Sequence, residues 1–164
     1  MSKMKRFAAM TAALLICAGN MGYMPESTKS IGGFTANAAE EEITSVEINE
    51  TNFPDAIFRK YVTNNFDKDG DGELSAEEIA AVTRIDISSK NIEDLTGISC
   101  FTELTALNCY DNKLTSIDVS KNTKLTRLDC HINQLTSLDV SNNTELTDLI
   151  CGKNLLTSLD VSKN

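Results

Sequence analysis

From residue 104 the sequence repeats itself with a period of 21, and this constrains the fold more than any other feature. LTALNCYDNKLTSIDVSKNTK (104–124) is followed by LTRLDCHINQLTSLDVSNNTE (125–145) and by LTDLICGKNLLTSLDVSKN (146–164), which stops two residues short. The shared pattern is LxxLxCxxNxLxxLxVxxNxx. One such unit has an apolar face and nothing of its own to bury it against. Stacked units bury that face as one continuous core. In Leu107-x-Cys109 the apolar residues alternate, which places both on one side of a short strand. A degenerate unit over 82–103 extends the series backwards with a period of 22. Its apolar positions are Val82, Ile85, Ile87, Ile92, Leu95 and Ile98.

This length and spacing are those of a leucine-rich repeat. The expected architecture is an α/β repeat fold, a solenoid with a parallel sheet on its concave side. Composition agrees: hydrophobic residues make up 41% of the 164, Trp is absent and aromatics are 5%, so the core must be aliphatic. Asn112, Asn133 and Asn154 form a column whose amides should satisfy backbone groups where each coil turns. Asp118/Asp139/Asp160 and Ser120/Ser141/Ser162 should do similar work at the opposite turn.

Before the repeats, residues 67–78 read DKDGDGELSAEE. With Asp67 as position 1, carboxylates fall at positions 1, 3 and 5 (Asp67, Asp69, Asp71). Gly72 falls at 6, Glu73 at 7, Ser75 at 9 and Glu78 at 12, the complete pattern of an EF-hand calcium loop. Calcium is a hard cation that takes six to eight oxygens, and alternate residues of a turning loop converge on one centre. Gly72 permits the bend, Glu73 offers its carbonyl, Ser75 acts through a water, and Glu78 supplies two oxygens. The flanks fit a helix–loop–helix. Phe53, Ile57, Phe58, Tyr61, Val62 and Phe66 recur at helical spacing, with Pro54 in a first turn, and Ser75-x-x-Glu78 is a capping-box spacing. EF-hands usually pair, and a single loop is better suited to a structural Ca²⁺ site than to a switch.

Residues 1–38 read as a signal peptide. Lys3, Lys5 and Arg6 precede an apolar run from Phe7 to Ala18, and Ala36-Asn37-Ala38 fits a small-x-small cleavage site. The run is too short to span a bilayer. A buried N-terminal helix is the plainer alternative, and Cys17 as a lipid-attachment site is disfavoured by Ile16 before it. Cleavage after Ala38 would remove Lys3, Lys5, Arg6, Lys29 and Glu26, taking the net charge from −9 to −12. Such a chain attracts cations, and with no basic block beyond its start it is unsuited to nucleic acid. The expected organisation is therefore a signal peptide (1–38), a helical EF-hand cap (39–81) and leucine-rich repeats (82–164, the last truncated), secreted or at the cell surface, with no membrane span after cleavage. More repeats and an anchor are expected beyond Asn164.

The residues between the inward ones should face outward on the concave side. They are Ala106, Asn108 and Tyr110; Arg127, Asp129 and His131; and Asp148, Ile150 and Gly152. They vary while the scaffold columns stay fixed, as a binding face does. A solvated face is the bland alternative. His131 beside Asp129 could suggest acid–base chemistry, but it is the one histidine and no nucleophile accompanies it, so no enzyme activity is expected. Cys109, Cys130 and Cys151 fall once per repeat and read as a ladder of buried thiols. A disulfide between rungs would be strained.

The stretch NIEDLTGISCFTELTAL (91–107) resembles an internalin-type repeat, and the TSLDVSxN units resemble repeats of secreted proteins from Gram-positive bacteria. In internalins a helical, EF-hand-like cap precedes the repeats; the present chain departs from them in having a complete calcium loop. The resemblance implies surface attachment and recognition of a protein or glycan. An enzyme whose catalytic domain lies outside the chain, for which these repeats serve as a targeting part, is the alternative. A calcium-responsive regulator is a further one.

Overall fold

The computed structural model describes residues 45–164. The signal-peptide reading and Cys17 fall on residues outside these. Strand β1 (Ser45–Glu47) leads to helix α1 (Ala56–Asn65), the acidic loop, strand β2 (Glu73–Ser75) and helix α2 (Ala76–Ala81). Four coils follow, contributing β3 (Arg84–Asp86), β4 (Ala106–Asn108), β5 (Arg127–Asp129) and β6 (Asp148–Ile150) to one parallel sheet in that order. Arg84 pairs with Ala106, Ala106 with Arg127 and Arg127 with Asp148, offsets of 22, 21 and 21 that are the sequence periods. Among the described residues no helix is long and apolar enough to cross a membrane.

Asp55 is the N-cap of α1: its Oδ1 accepts the N–H groups of Ile57 and Phe58. Pro54 therefore precedes the cap instead of sitting in the first turn. Phe58 and Val62 are buried, whereas Ile57 faces solvent. Ser75 and Glu78 close the expected capping box on α2.

Cap and coils share one apolar core, which runs without a break from Val46 to Leu146. Three of the contacts that join them involve the junction around Asp55, Phe66 and Gly97. The second oxygen of Asp55 accepts the Glu93 N–H at 2.8 Å. Phe66 meets Phe101 edge-on at 5.2 Å. Phe53, fully buried, lies against Gly97. Gly97 is where the longer first unit takes up its extra residue: Leu95 and Ile98 are separated by two residues where Ile117 and Val119 are separated by one. The backbone there is left-handed (φ 100°), a region glycine enters freely.

The asparagine column behaves as expected and also bridges coils. Asn133 Nδ2 donates to the carbonyls of Cys109 and Cys130, both at 3.0 Å, and its Oδ1 accepts the Leu114 N–H. Asn112 and Asn154 repeat the arrangement. Asp118, Asp139 and Asp160 accept the N–H of the serine two residues on, each at 2.9 Å. A second column, Asn122, Asn143 and Asn164, runs along the other side, each Nδ2 donating to a carbonyl of its predecessor coil.

Candidate functional site

Two regions carry the residues singled out by the sequence. The first is the acidic loop. Gly70 and Gly72 both take left-handed backbone (φ 74° and 88°), so the chain doubles back and Asp67, Asp69 and Asp71 converge. One oxygen of each lies within 4.8 Å of the others. The loop is held by Asp67, which accepts the N–H groups of Gly70 and Gly72, and by Asp71, which accepts that of Glu73. The Glu78 carboxylate is not one of this converging set. Its Oε2 accepts the N–H and O–H of Ser75, and its Oε1 accepts the Lys68 N–H across the loop. The Lys68 and Ser75 donors hold its carboxyl below the usual range, so it is ionised. Glu73 opens β2, and the Ser75 hydroxyl is engaged in the cap.

Glu73–Ser75, positions 7 to 9 of the expected loop, form β2. β1 pairs antiparallel with it, Val46 opposite Leu74, and the Ile48 N–H donates to the Gly72 carbonyl at 2.9 Å. The segment before α1 thus supplies the backbone partners of β2. Three residues of ordinary composition gave no sign of this.

The second region is the concave face. Tyr110 and His131 stack, with ring centroids 4.1 Å apart and planes inclined by 20°. His131 Nδ1 is 2.6 Å from Asp129 Oδ1. Arg127 pairs with Asp148 and stands 3.9 Å from the other oxygen of Asp129. Asn108 donates to Asp86 at 3.2 Å. Asp129 departs from a fully solvated face: it is only 9% exposed, because Asn108 and Ile150 flank it in register while Arg127 and His131 fold over it. Tyr110, His131, Asp148 and Ile150 are half-buried and Arg127 is exposed. Carrying the columns back by one period would have added Arg84 and Asp86 to this face, and Tyr61 joins them from α1.

Cys109, Cys130 and Cys151 form a column of thiols with no disulfide among them. Cys109 and Cys130 are buried and Cys151 is partly so. Burial pushes the Cys130 thiol up to about 12 and raises that of Cys109 well above its ordinary value. Both stay protonated and unreactive at neutral pH. Iodoacetamide should label Cys109 and Cys130 slowly in the native protein and fully after denaturation without reductant. A raised folded pKa means stability is intact below the unfolded value, 9.0 for these thiols, and is lost as pH climbs toward 12. Recovery of a Cys109–Cys130 or Cys130–Cys151 cross-linked peptide would overturn the free-thiol assignment.

No family model matches the chain. Among curated proteins, internalin J of Listeria monocytogenes serotype 4b (strain F2365) is 44% identical over 70 residues, 43% of this chain and 8% of that protein. Among solved structures, the functional domain of internalin J from Listeria monocytogenes, which includes a cysteine ladder, is 42% identical with a TM-score of 0.67. The match covers 73% of this chain and 26% of that one. An internalin (inlF) of the same species is 26% identical with a TM-score of 0.63, over 72% of this chain and 35% of that one. Internalin C2, at 19% identity and a TM-score of 0.61, over 76% of this chain and 55% of that one, shares the fold. Internalin-like leucine-rich-repeat proteins of Listeria are thus homologues of this chain, which spans a minor part of the relatives' length in all but the last comparison.

Proposed function

We propose that this chain is an exported leucine-rich-repeat protein that recognises a protein or glycan at a cell surface, with one structural calcium ion in its N-terminal cap. The observation that carries the recognition reading is the division of labour within each coil. The asparagine, aspartate and leucine columns are consumed in building the solenoid, while the concave strand residues differ from rung to rung and present Tyr110, Arg127, His131 and Asp148. The likeness to internalin J supports a binding role at a surface. Screening the chain against host-cell proteins, mucin glycans and cell-wall polymers, with and without calcium, tests it. Capture that survives charge reversal across Arg127, His131 and Asp148 would overturn this face as the binding surface.

The calcium reading is supported by the donor set and its geometry. Three carboxylate oxygens already converge, Gly72 makes the bend, and Glu78 is ionised beside the loop. Bound calcium would neutralise carboxylates that otherwise repel one another. Asp67, Asp69, Asp71 and Glu78 would hold it, with the Glu73 carbonyl and a water on Ser75. Extracellular sites of this kind bind at about 10⁻⁴ to 10⁻³ M. With about 1 mM calcium and a Kd of about 10⁻⁴ M, the linked stabilisation is roughly 1.4 kcal/mol. Thermal unfolding should therefore shift upward in calcium, by one ion per chain, and Glu78→Gln should remove most of the shift. A calorimetric titration that is flat at millimolar calcium overturns the assignment.

A further inference from the structure

At the cap end of the concave sheet lies a cavity of about 270 Å³, lined by Tyr61, Arg84, Asp86, Ala106, Asn108 and Arg127, among others. Its construction follows from register. Arg84, Ala106 and Arg127 occupy the same position on consecutive strands. Neighbouring strands are about 4.8 Å apart, so the two arginines rise on either side of a methyl group. The small side chain leaves a notch with an arginine on each side. Asp86 and Asn108 form the next row, and Tyr61 reaches in from α1.

The arginines are not equivalent. Three lie among the described residues. Arg59 is engaged with the carbonyls of Phe53 and Pro54 and with Glu50. Arg127 is oriented by Asp148 and Asp129. The Arg84 guanidinium has no hydrogen-bond or ion-pair partner among the described residues, although the protein is strongly acidic overall. A guanidinium fork of this kind matches a carboxylate with two parallel hydrogen bonds. The adjoining row wants the opposite. Asp86 is ionised: burial acts to raise its pKa, but the Ser88 hydroxyl and N–H and the Asn108 amide hold it below the ordinary value. It therefore accepts hydrogen bonds and repels a second anion. The Lys90 ammonium lies 5.9 Å from the Tyr61 ring centroid. Its attraction to the ring face steadies that wall.

We propose that this notch binds one acidic monosaccharide unit, with its carboxylate on Arg84 and Arg127 and its hydroxyls toward Asp86 and Asn108. An acidic sugar carries hydroxyl donors around the same ring as its carboxylate, so it can offer an anion to one row and donors to the other. An aspartate or glutamate side chain of a peptide presents methylenes there and offers no further donor to Asp86, which Ser88 and Asn108 already partner. The cavity, at about 270 Å³, has the volume for one pyranose ring. This assignment rests on the concave face being the recognition surface, and it names the ligand class for the part nearest the cap.

Ligand-observed NMR or calorimetry on the full chain tests it with three probes: glucuronate, glucose and glutarate. Glucuronate should bind, and glucose and glutarate should each bind at least about tenfold more weakly, because each lacks one of the two groups the notch requires. Arg84→Gln should weaken glucuronate by about tenfold or more while leaving the thermal midpoint unchanged. Ala106→Leu fills the floor without altering charge and should also abolish binding. If that variant is unfolded by near-ultraviolet circular dichroism, Arg84→Gln alone decides. Glutarate binding as tightly as glucuronate would make the notch a peptide-carboxylate site and overturn the proposal. So would equal binding of glucose, or the absence of glucuronate binding. If Arg84→Gln still captures the surface ligand found by screening, the recognition face stands and the notch assignment alone falls.

Discussion

Replacing Gly97 with alanine should lower the unfolding free energy by about 2–5 kcal/mol and shift one transition of the whole domain. A Cβ at this position would lie 2.4 Å from two ring carbons of Phe53 and 2.5 Å from the Asn52 carbonyl oxygen, inside any real contact distance. Neither neighbour can yield cheaply. Phe53 is fully buried and meets Phe58 edge-on at 5.9 Å. The Asn52 backbone is tied to the Asn49 side chain at 2.9 Å. The left-handed backbone adds about 1–2 kcal/mol for a residue with a Cβ, and overpacking typically adds about 1–3 kcal/mol. Urea unfolding followed by circular dichroism measures the sum. Two separated transitions, with that of the repeats unchanged, would mean that cap and coils unfold independently and that the shared core does not couple them. A loss below about 1 kcal/mol would show that the junction relaxes around the extra carbon.

The second large effect should come from Asn133→Ala, at about 3 kcal/mol. Asn133 is buried between two coils and makes four backbone hydrogen bonds, three to the carbonyls of Cys109, Cys130 and His131 and one from the Leu114 N–H. Truncation does not orphan all four groups: the His131 carbonyl keeps the Asp111 N–H. The Cys109 carbonyl keeps a donor from Asn112, and the Cys130 carbonyl keeps one from Asn154. The Leu114 N–H, itself buried, keeps none. Such a group costs about 1–3 kcal/mol unpaired, and each lost bond adds about 1 kcal/mol. Asn154→Ala is the control. Its bonds are the same in kind, but it is only partly buried. Water replaces them, so the loss should be near about 1 kcal/mol. Equal costs for the two variants would refute the view that burial between coils sets the penalty.

The periods of 22 and 21 could be read from the sequence because a repeat writes its inter-strand register directly as spacing, and the strand pairs follow it residue for residue. The helix–loop–helix was legible for a different reason: Gly72, Asp55 and the Ser75/Glu78 pair act within a few residues of themselves. What escaped was long-range or relational. The pairing of β1 with β2 sets Val46 opposite Leu74 across the whole of α1 and the acidic loop, and nothing in Ser-Val-Glu announces it. The burial of Asp129 depends on side chains from its own and neighbouring rungs. Asn122 and Asn143 stood in the repeat pattern, but their role as a second bridging column needed the distances between coils. The special part of Gly97 follows from its placing opposite Phe53, although the extra residue in the first unit pointed toward it.

The columns also make the number of coils a heritable variable. The junction between the second and third coils and that between the third and fourth use the same bonds. Thr126 donates to Thr105 and Thr147 to Thr126, each through Oγ1 at 3.1 Å. Asn133 donates to Cys109 and Asn154 to Cys130, each at 3.0 Å. A tandem duplication or deletion of the DNA that encodes one whole unit would therefore join surfaces that already fit. An unequal crossover at any other interval would shift every column out of line. Gain or loss of one whole unit would thus lengthen or shorten the face in a single event, while point substitutions at the outward strand positions change what it presents. The first junction, with its extra residue and Gly97 fitted to the cap, lies outside this exchange and keeps the start of the array fixed.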